Sequence, residues 1–269
     1  MIFNGLRKFL TTLESHGELV RINFPVDPYL EITEIADRVM KQGGPALLFE
    51  KVKGSPFPLA INIFGSKERI RLAFGVNRLE DIGDELFRLL KSIPTTINWR
   101  EKIKLFLELN QIKNIFPKTI TGKAPCQEII MSPPNLDLLP IITCWPQDGG
   151  PFITLPIIIT KDPETRIRNC GMYRLQKFSS TTTGMHWQIH KDGRRIFSQY
   201  QKKGERMEVA VVLGGDPILT YAATAPLPPE VDELLFASYI KKNPIELVKG
   251  ITIDLEVPAQ ADFVIEGYI

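Results

Sequence analysis

The pattern of apolar residues changes once along this chain, close to Pro125. Before that point, helical spacing alternates with short runs of strand-forming residues. Beyond it, short β-branched or aromatic runs are separated by Gly, Pro, Asp and Asn, which is typical of antiparallel sheets. A chain of 269 residues is long enough for about two domains. We therefore predict an α+β fold, with an N-terminal α/β domain over residues 1–120 and a β barrel or sandwich over residues 121–269.

The first segment predicts helices and strands in alternation. Apolar residues fall on one helical face over residues 6–13, where Asn4 is the expected cap, and a second helix follows Pro28 and ends at Gly43. Strands are predicted over residues 19–22, 46–49 and 60–64, and further helices over residues 79–90 and 102–109.

The second segment predicts an antiparallel β structure with one helix. Strands are expected over residues 152–160, 169–175, 185–190, 208–213 and 263–265. The helix spans residues 228–240, because prolines and acidic residues at its start suit a helix N-terminus.

Composition excludes several classes of function. A net charge of +2 with 24% charged residues does not predict a nucleic-acid-binding surface. Three widely spaced cysteines are too few for a disulfide framework or a structural zinc site, so we expect a reducing, cytoplasmic setting. The N-terminus does not resemble a signal peptide, and no run approaches the ~20 apolar residues that span a bilayer. We expect a soluble protein, at most peripheral to a membrane.

The residues best suited to chemistry lie between Arg168 and Asp192. Asn169 offers an oxygen ligand, Arg174 a fixed cation and His190 an imidazole, a combination that can hold a divalent metal against a phosphate. On an ideal strand Asn169 and Arg174 would point to opposite faces, so we expect a bulge or turn near Gly171. His186 would share a strand face with His190.

Several segments of the chain resemble UbiD-type decarboxylases, and together they extend over essentially its whole length. They are residues 4–10, 25–38, 43–50, 143–146, 169–174, 254–259 and 266–269. Among these enzymes, the chain is most similar to the branch that decarboxylates 4-hydroxy-3-polyprenylbenzoate in ubiquinone synthesis.

The resemblance implies a fold, a set of cofactors and the residues that bind them. The second domain would be a split β-barrel, like that of flavin reductases, holding prenylated FMN, a divalent metal that is usually Mn²⁺ (Mg²⁺ being the alternative) and often K⁺. The implied roles fall on the metal ligands Asn169, His190 and Glu233, on the flavin-contacting and catalytic Arg174, on the flavin-pocket residues Thr154, Gly171 and Pro226, and on the catalytic carboxylates Asp262 and Glu266.

The physical chemistry of decarboxylation makes these roles intelligible. Loss of CO₂ from an aromatic acid leaves a carbanion that no side chain delocalises, so an organic cofactor must act as the electron sink. Asp262 and Glu266 are four residues apart, and an even separation places both on one face of a strand. Two carboxylates beside Arg174 can have separated pKa values, which would leave one able to donate a proton. Glu266 is the predicted donor.

The resemblance also implies partners and leaves alternatives open. The substrate would be an aromatic acid, with or without a prenyl chain, and a flavin prenyltransferase would supply the cofactor. Family members continue beyond the segment that ends at Ile269 and form oligomers, so we expect this chain to lack a C-terminal portion. The alternatives are a decarboxylase of another aromatic acid, such as a naphthoate of a menaquinone route, and a non-catalytic fragment or subunit that needs a C-terminal partner.

Overall fold

The computed structural model of this chain describes residues 3–84, 115–227 and 231–269. The helix predicted over residues 102–109 lies outside the described residues, as do residues 85–90 of the helix predicted over 79–90 and residues 228–230 of the helix predicted over 228–240. Within the described ranges, no helix combines the length and apolar character needed to cross a membrane.

The N-terminal part folds as the alternating pattern predicts. Its helices are α1 (Leu6–Ser15), α2 (Glu31–Lys41) and α3 (Lys67–Phe74), and its strands are β1 (Leu19–Ile22), β2 (Ala46–Phe49) and β3 (Leu59–Ile61). Strands β1 and β2 pair in parallel with α2 between them in sequence, and β3 pairs antiparallel to β2. Parallel strands need such a crossover, because a tight turn joins only antiparallel strands. The α/β prediction for this part is confirmed.

The remainder of the chain contains short strands with helices packed on them. Its strands are β4 (Lys118–Thr119), β5 (Phe152–Ile153), β6 (Ile157–Lys161), β7 (Arg168–Met172), β8 (Leu175–Lys177), β9 (Thr183–Met185), β10 (Glu208–Leu213), β11 (Glu246–Lys249), β12 (Glu256–Pro258) and β13 (Phe263–Tyr268). Its helices are α4 (Asp192–Lys203), α5 (Pro217–Ala222) and α6 (Glu233–Lys241). The mixed α+β fold class is therefore confirmed.

One antiparallel sheet organises this second part. Its strand order is β13-β10-β6-β7, which puts β7 at an edge, and we call it the central sheet. Smaller sheets have the orders β12-β11-β4 and β5-β8-β9. Because neighbouring residues of a strand point to opposite faces, Ile157 and Ile159 pack with Leu234 of α6, whereas Ile158 packs with Ile196 of α4. Helices thus cover both faces of the central sheet.

Backbone hydrogen bonds join the two parts of the chain. The amide of Leu30 donates to the carbonyl of Thr143 at 3.1 Å, and the amide of Thr143 donates to the carbonyl of Pro28 at 3.0 Å. The domain boundary at residue 120 stays a prediction.

Several local predictions are wrong. Gly5, rather than Asn4, occupies the N-cap position of α1, and Asn4 lies one residue too early for its side chain to reach the N–H groups of the first turn. The strand predicted over residues 152–160 divides into β5 and β6 around Pro156, which has no N–H to donate to a ladder. The strand predicted over residues 185–190 ends at Met185, so His186 and His190 do not share a strand face.

Candidate metal and cofactor site

A cavity of about 310 Å³ lies beside the exposed edge of β7. Its walls come from β7, from the start of α4, from the segment after α5 and from the start of α6. Five residues that sequence analysis assigned to the site line this cavity: Asn169, Gly171, His190, Pro226 and Glu233. The chain therefore brings together residues that lie up to 64 positions apart in the sequence.

Glu233 links α6 to the edge of β7. It is the first residue of α6, which the side chain of Asp232 caps by accepting a hydrogen bond from the amide of Leu234 at 2.8 Å. One carboxylate oxygen of Glu233 accepts the backbone N–H of Cys170 at 2.8 Å, and the other accepts Nδ2 of Asn169 at 3.1 Å. The outer backbone groups of an edge strand have no neighbouring strand to bond with. Here the Glu233 carboxylate accepts one of them, the N–H of Cys170.

The environment of Glu233 opposes its negative charge. Burial raises the pKa of Glu233 from 4.5 to about 7, with smaller raising effects from the charges of Asp232 and Asp192, while the Cys170 amide partly offsets them. The nearby guanidinium of Arg168 pairs with Asp232 at 2.6 Å and with Glu256 at 3.3 Å. A cation in the cavity would favour the ionised carboxylate and lower this pKa.

The donor atoms at the cavity fit a hard divalent cation. Oδ1 of Asn169 is buried and has no hydrogen-bond partner among the described residues. His190 is an exposed residue on the cavity wall. An amide oxygen, an imidazole and a carboxylate form a set that Mn²⁺ or Mg²⁺ accepts. Asn169, His190 and Glu233 are thus the residues that would hold such an ion.

Tyr173 fixes the start of α4 against β7. Its hydroxyl accepts the backbone N–H of Gly193 at 3.1 Å, and both groups are buried. The ring packs edge-on against Trp187, which in turn contacts Phe197 of α4. This packing positions the segment that carries His190 beside the strand that carries Asn169.

Gly171 is a glycine because the Tyr173 ring occupies the space of a side chain. A Cβ at this position would lie 2.4 Å from the Tyr173 ring. We expect Gly171→Ala to lower the free energy of unfolding by about 1–3 kcal/mol, the usual cost of overpacking. Chemical denaturation measures this change.

Gly267→Ala is the matched control, since Gly267 also lies in a strand and a Cβ added there would have no heavy atom within 4 Å. The control should change stability by less than about 0.5 kcal/mol. Equal losses in the two variants would contradict the packing role of Tyr173.

Arg174 and Thr154 are not among the residues that line the cavity. The structure shows no bulge at Gly171, because the β6–β7 pairing is continuous from Arg168 to Met172. The chain leaves the central sheet after Met172 and enters the β5-β8-β9 sheet at Leu175, so the predicted turn comes at Tyr173–Arg174 instead. Ile153 and Leu175 form the last pair of the β5–β8 ladder, and Thr154 and Arg174 are the residues that adjoin this pair just outside the two strands. The Arg174 guanidinium stacks 4.5 Å above the ring of Phe152.

The two predicted catalytic carboxylates lie apart from each other. Glu266 is on β13, three strand spacings or about 14 Å from β7. Its carboxylate accepts the amides of Ile251 at 2.7 Å and Thr252 at 2.6 Å, and the hydroxyl of Thr252 at 2.6 Å. Asp262 precedes β13, and its carboxylate accepts the amide of a different segment, that of Gly215, at 3.0 Å. Different segments thus hold the two carboxylates, and their place beside Arg174 stays a prediction.

Two residues that support the site are not among those predicted from the sequence. Arg168 and Asp232 pair at 2.6 Å, and they are the sequence neighbours of Asn169 and Glu233. The Arg168–Asp232 ion pair and the Asn169–Glu233 hydrogen bond therefore both hold the start of α6 against β7. One sequence feature could have indicated Asp232: it is a typical helix-capping residue and immediately precedes Glu233, a predicted metal ligand.

Comparison with known proteins gives consistent family matches. The domain described as "3-octaprenyl-4-hydroxybenzoate carboxy-lyase Rift-related domain" matches residues 118–269, and the corresponding N-terminal domain matches residues 10–86. An uncharacterized protein of Aquifex aeolicus is 50% identical over 270 residues, which cover 99% of this chain and 55% of that protein. The chain spans about half the length of the curated relatives it matches.

Solved structures with the same fold come from UbiD-class enzymes. An evolved dimeric form of HmfF from Pelotomaculum thermopropionicum, in complex with prFMN, matches with a TM-score of 0.81 at 31% identity, over 99% of this chain and 57% of that one. The closed form of vanillic acid decarboxylase from Sedimentibacter hydroxybenzoicus matches with a TM-score of 0.83 at 26% identity, over 100% of this chain and 55% of that one. Together with the domain matches, these findings show that the chain belongs to the UbiD family.

Proposed function

We propose that this chain provides the flavin-binding and metal-binding part of a non-oxidative decarboxylase that converts 4-hydroxy-3-polyprenylbenzoate to a 2-polyprenylphenol in ubiquinone biosynthesis. The observation that carries the proposal is the convergence of Asn169, His190 and Glu233 on one cavity in a member of the UbiD family. The choice of substrate is supported by the matching domain, whose description names an octaprenyl hydroxybenzoate. The cofactor is supported by the prFMN in the HmfF structure.

Each residue of the site has a proposed task. Prenylated FMN supplies the electron sink that decarboxylation of an aromatic ring requires. Asn169, His190 and Glu233 would hold Mn²⁺ or Mg²⁺, with K⁺ as a further cation, and that charge would bind the flavin phosphate. Gly171 and Pro226 would form the wall of this pocket.

The chemical step would take place at the other end of the cofactor. Arg174 is exposed, and with Thr154 it would contact the flavin and orient the substrate carboxylate through its planar guanidinium. Glu266 would donate a proton from its carboxyl group to the ring carbon, with Asp262 as the second carboxylate. The turn at Ile251 and Thr252 would first have to release the Glu266 carboxylate, because that turn occupies both of its oxygens.

The wider setting follows from the same proposal. We propose that a flavin prenyltransferase loads the cofactor, that the protein works in the cytoplasm with a peripheral association to the membrane, and that the full-length protein is a homo-oligomer. The evolved HmfF is described as dimeric.

Two other functions remain in competition with this one. HmfF and vanillic acid decarboxylase are UbiD-class neighbours, so another aromatic acid, such as a menaquinone-route naphthoate, is a competing substrate. The second alternative is a non-catalytic fragment or subunit that needs a C-terminal partner. Turnover of the two acids by the anaerobically purified, prenyltransferase-loaded chain, with and without such a partner, distinguishes these functions.

We expect Glu266→Gln to lower decarboxylation at least about 100-fold, because a carboxamide cannot donate the proton that the reaction needs. Native mass spectrometry should still find prenylated FMN in the variant, since Glu266 lies about 14 Å from β7. Glu208→Gln is the control, because Glu208 likewise accepts a backbone amide, that of Asp254 at 2.9 Å. Normal turnover in the Glu266 variant would refute its catalytic role.

A further inference from the structure

Thr160, next to the candidate metal site, has a buried hydroxyl group that forms no hydrogen bond with the described residues. It lies on β6, its side chain is 1% exposed, and its Oγ1 has no hydrogen-bond partner among the described residues. Burying a hydroxyl without a partner costs about 1–3 kcal/mol. A valine of the same shape would avoid that cost.

Thr160 is the cross-strand neighbour of Asn169. The two residues are directly opposite in the β6–β7 pairing, so they point to the same face of the central sheet. The Cβ atoms of such a pair lie about 5 Å apart. Oδ1 of Asn169 is itself buried without a partner among the described residues. Two adjacent side chains, of which Asn169 lines the cavity, thus have unused hydrogen-bonding capacity.

The side-chain amide of Asn169 is oriented with Nδ2 toward Glu233, which leaves Oδ1 without a hydrogen-bond partner among the described residues. Its Nδ2 donates to Oε1 of Glu233 at 3.1 Å, so Oδ1 does not face this carboxylate. An amide NH₂ group is a donor only and cannot ligate a cation. For Asn169 and Glu233 to share a metal ion, the amide must reverse so that Oδ1 faces the ion. Nδ2 then points away from Glu233 and needs an acceptor.

Some of the buried acceptors in this region already have donors. The carboxylate of Asp162 accepts the amides of Glu164 and Thr165 and the guanidinium of Arg195. The hydroxyl of Tyr173 accepts the amide of Gly193. Two buried acceptors are unpartnered among the described residues near this face: Oγ1 of Thr160, directly opposite Asn169 in the β6–β7 pairing, and Oε1 of Gln199 on α4. Thr160 is the direct cross-strand neighbour of Asn169.

We propose that Thr160 is a positioning residue for the metal site: the Asn169 side-chain amide reverses when the cation binds, and Oγ1 of Thr160 accepts its Nδ2. The inference rests on the proposed metal-binding function. Thr160 does not touch the cation, and it acts by stabilising the orientation of Asn169 that presents oxygen.

Thr160→Val tests this role, with the affinity for Mn²⁺ alone measured by electron paramagnetic resonance titration. We expect Thr160→Val to weaken Mn²⁺ binding about 10- to 100-fold, the usual effect of losing a group that orients a metal ligand. Thr160→Ser keeps the hydroxyl and should bind within about 3-fold of the wild type. Chemical denaturation of the metal-free chain should show no loss of stability in Thr160→Val, because the Thr160 hydroxyl has no hydrogen-bond partner among the described residues.

The second measurement places Thr160→Val in an Asn169→Asp background. An aspartate presents oxygen in either orientation and has no NH₂ group, so Thr160→Val should then leave Mn²⁺ affinity unchanged. Thr12→Val, which removes a hydroxyl bonded to the carbonyl of Lys8 in α1, is the control for a distant threonine.

The outcomes distinguish failure of the proposed role of Thr160 from failure of the proposed metal site. Unchanged Mn²⁺ affinity in Thr160→Val, while Glu233→Gln abolishes binding, overturns the role of Thr160 and leaves the metal site standing. A loss that persists in the Asn169→Asp background also overturns it. A wild-type chain that does not bind Mn²⁺ refutes the proposed metal site, and this inference with it.

Discussion

Replacing Glu233 with glutamine is expected to lower the affinity of the chain for Mn²⁺ at least about 100-fold. Glutamine keeps the shape of the side chain and removes the charge that a divalent cation needs most, because hard cations bind through carboxylate oxygens. The fold should survive, since the glutamine carbonyl can still accept the backbone amide that Glu233 accepts from Cys170 at 2.8 Å. Electron paramagnetic resonance titration of Mn²⁺ measures the affinity.

The control for this substitution is Glu256→Gln. Glu256 is a nearby carboxylate that pairs with Arg168 at 3.3 Å but is not among the residues that line the cavity. Its loss should change Mn²⁺ affinity by less than about 3-fold, because exposed or partly exposed charges act weakly over distance. Equal losses in the two variants would indicate nonspecific attraction by acidic residues and would contradict the assignment of Glu233.

Much of the fold was predictable where local signals were strong. Strands β1, β2 and β10 have the predicted bounds, because each is a short apolar run between polar or turn-forming residues. The strand predicted over residues 185–190 was wrong because the alternation of Met185, Trp187 and Ile189 imitates a strand, which the structure ends at Met185. Ile189 is in fact 76% exposed, and Trp187 packs on Phe197 of α4. Tertiary contacts decided a segment whose local pattern pointed to a strand.

The site residues were predictable from the family resemblance and not from local sequence patterns. Asn169 and Glu233 are 64 residues apart and meet only because α6 docks on the edge of β7, so spacing alone could not pair them. The family resemblance named both, and the structure adds the partners that hold them, such as Arg168. The prediction kept Arg174 in the same strand as Asn169, over residues 169–175, with a bulge or turn near Gly171. The chain instead changes sheets between Met172 and Leu175, which carries the arginine to another ladder.

Stability of the metal-free chain is expected to fall as the pH rises, because of Glu233. Burial raises its pKa from 4.5 to about 7, so the folded state binds a proton more tightly than the unfolded state does. Between these values the folded chain carries more bound protons, and the free energy of unfolding therefore decreases with increasing pH. The contribution of Glu233 is fully present below pH 4.5 and is lost once the pH passes about 7. A shift of this size corresponds to about 3 kcal/mol.

Urea denaturation at pH 5 and pH 8 in the presence of a chelator tests this expectation, with Glu233→Gln as the reference. Glutamine does not titrate, so the difference between the wild type and the variant isolates Glu233 from the other groups. The wild type should lose about 2–3 kcal/mol more than the variant between the two pH values. Added Mn²⁺ should restore the wild type at pH 8, because a bound cation favours the ionised carboxylate and stabilises the folded state. Parallel pH profiles for the two proteins would show that the Glu233 carboxylate is not held in a destabilising environment, and would remove the electrostatic argument for a cation at this site.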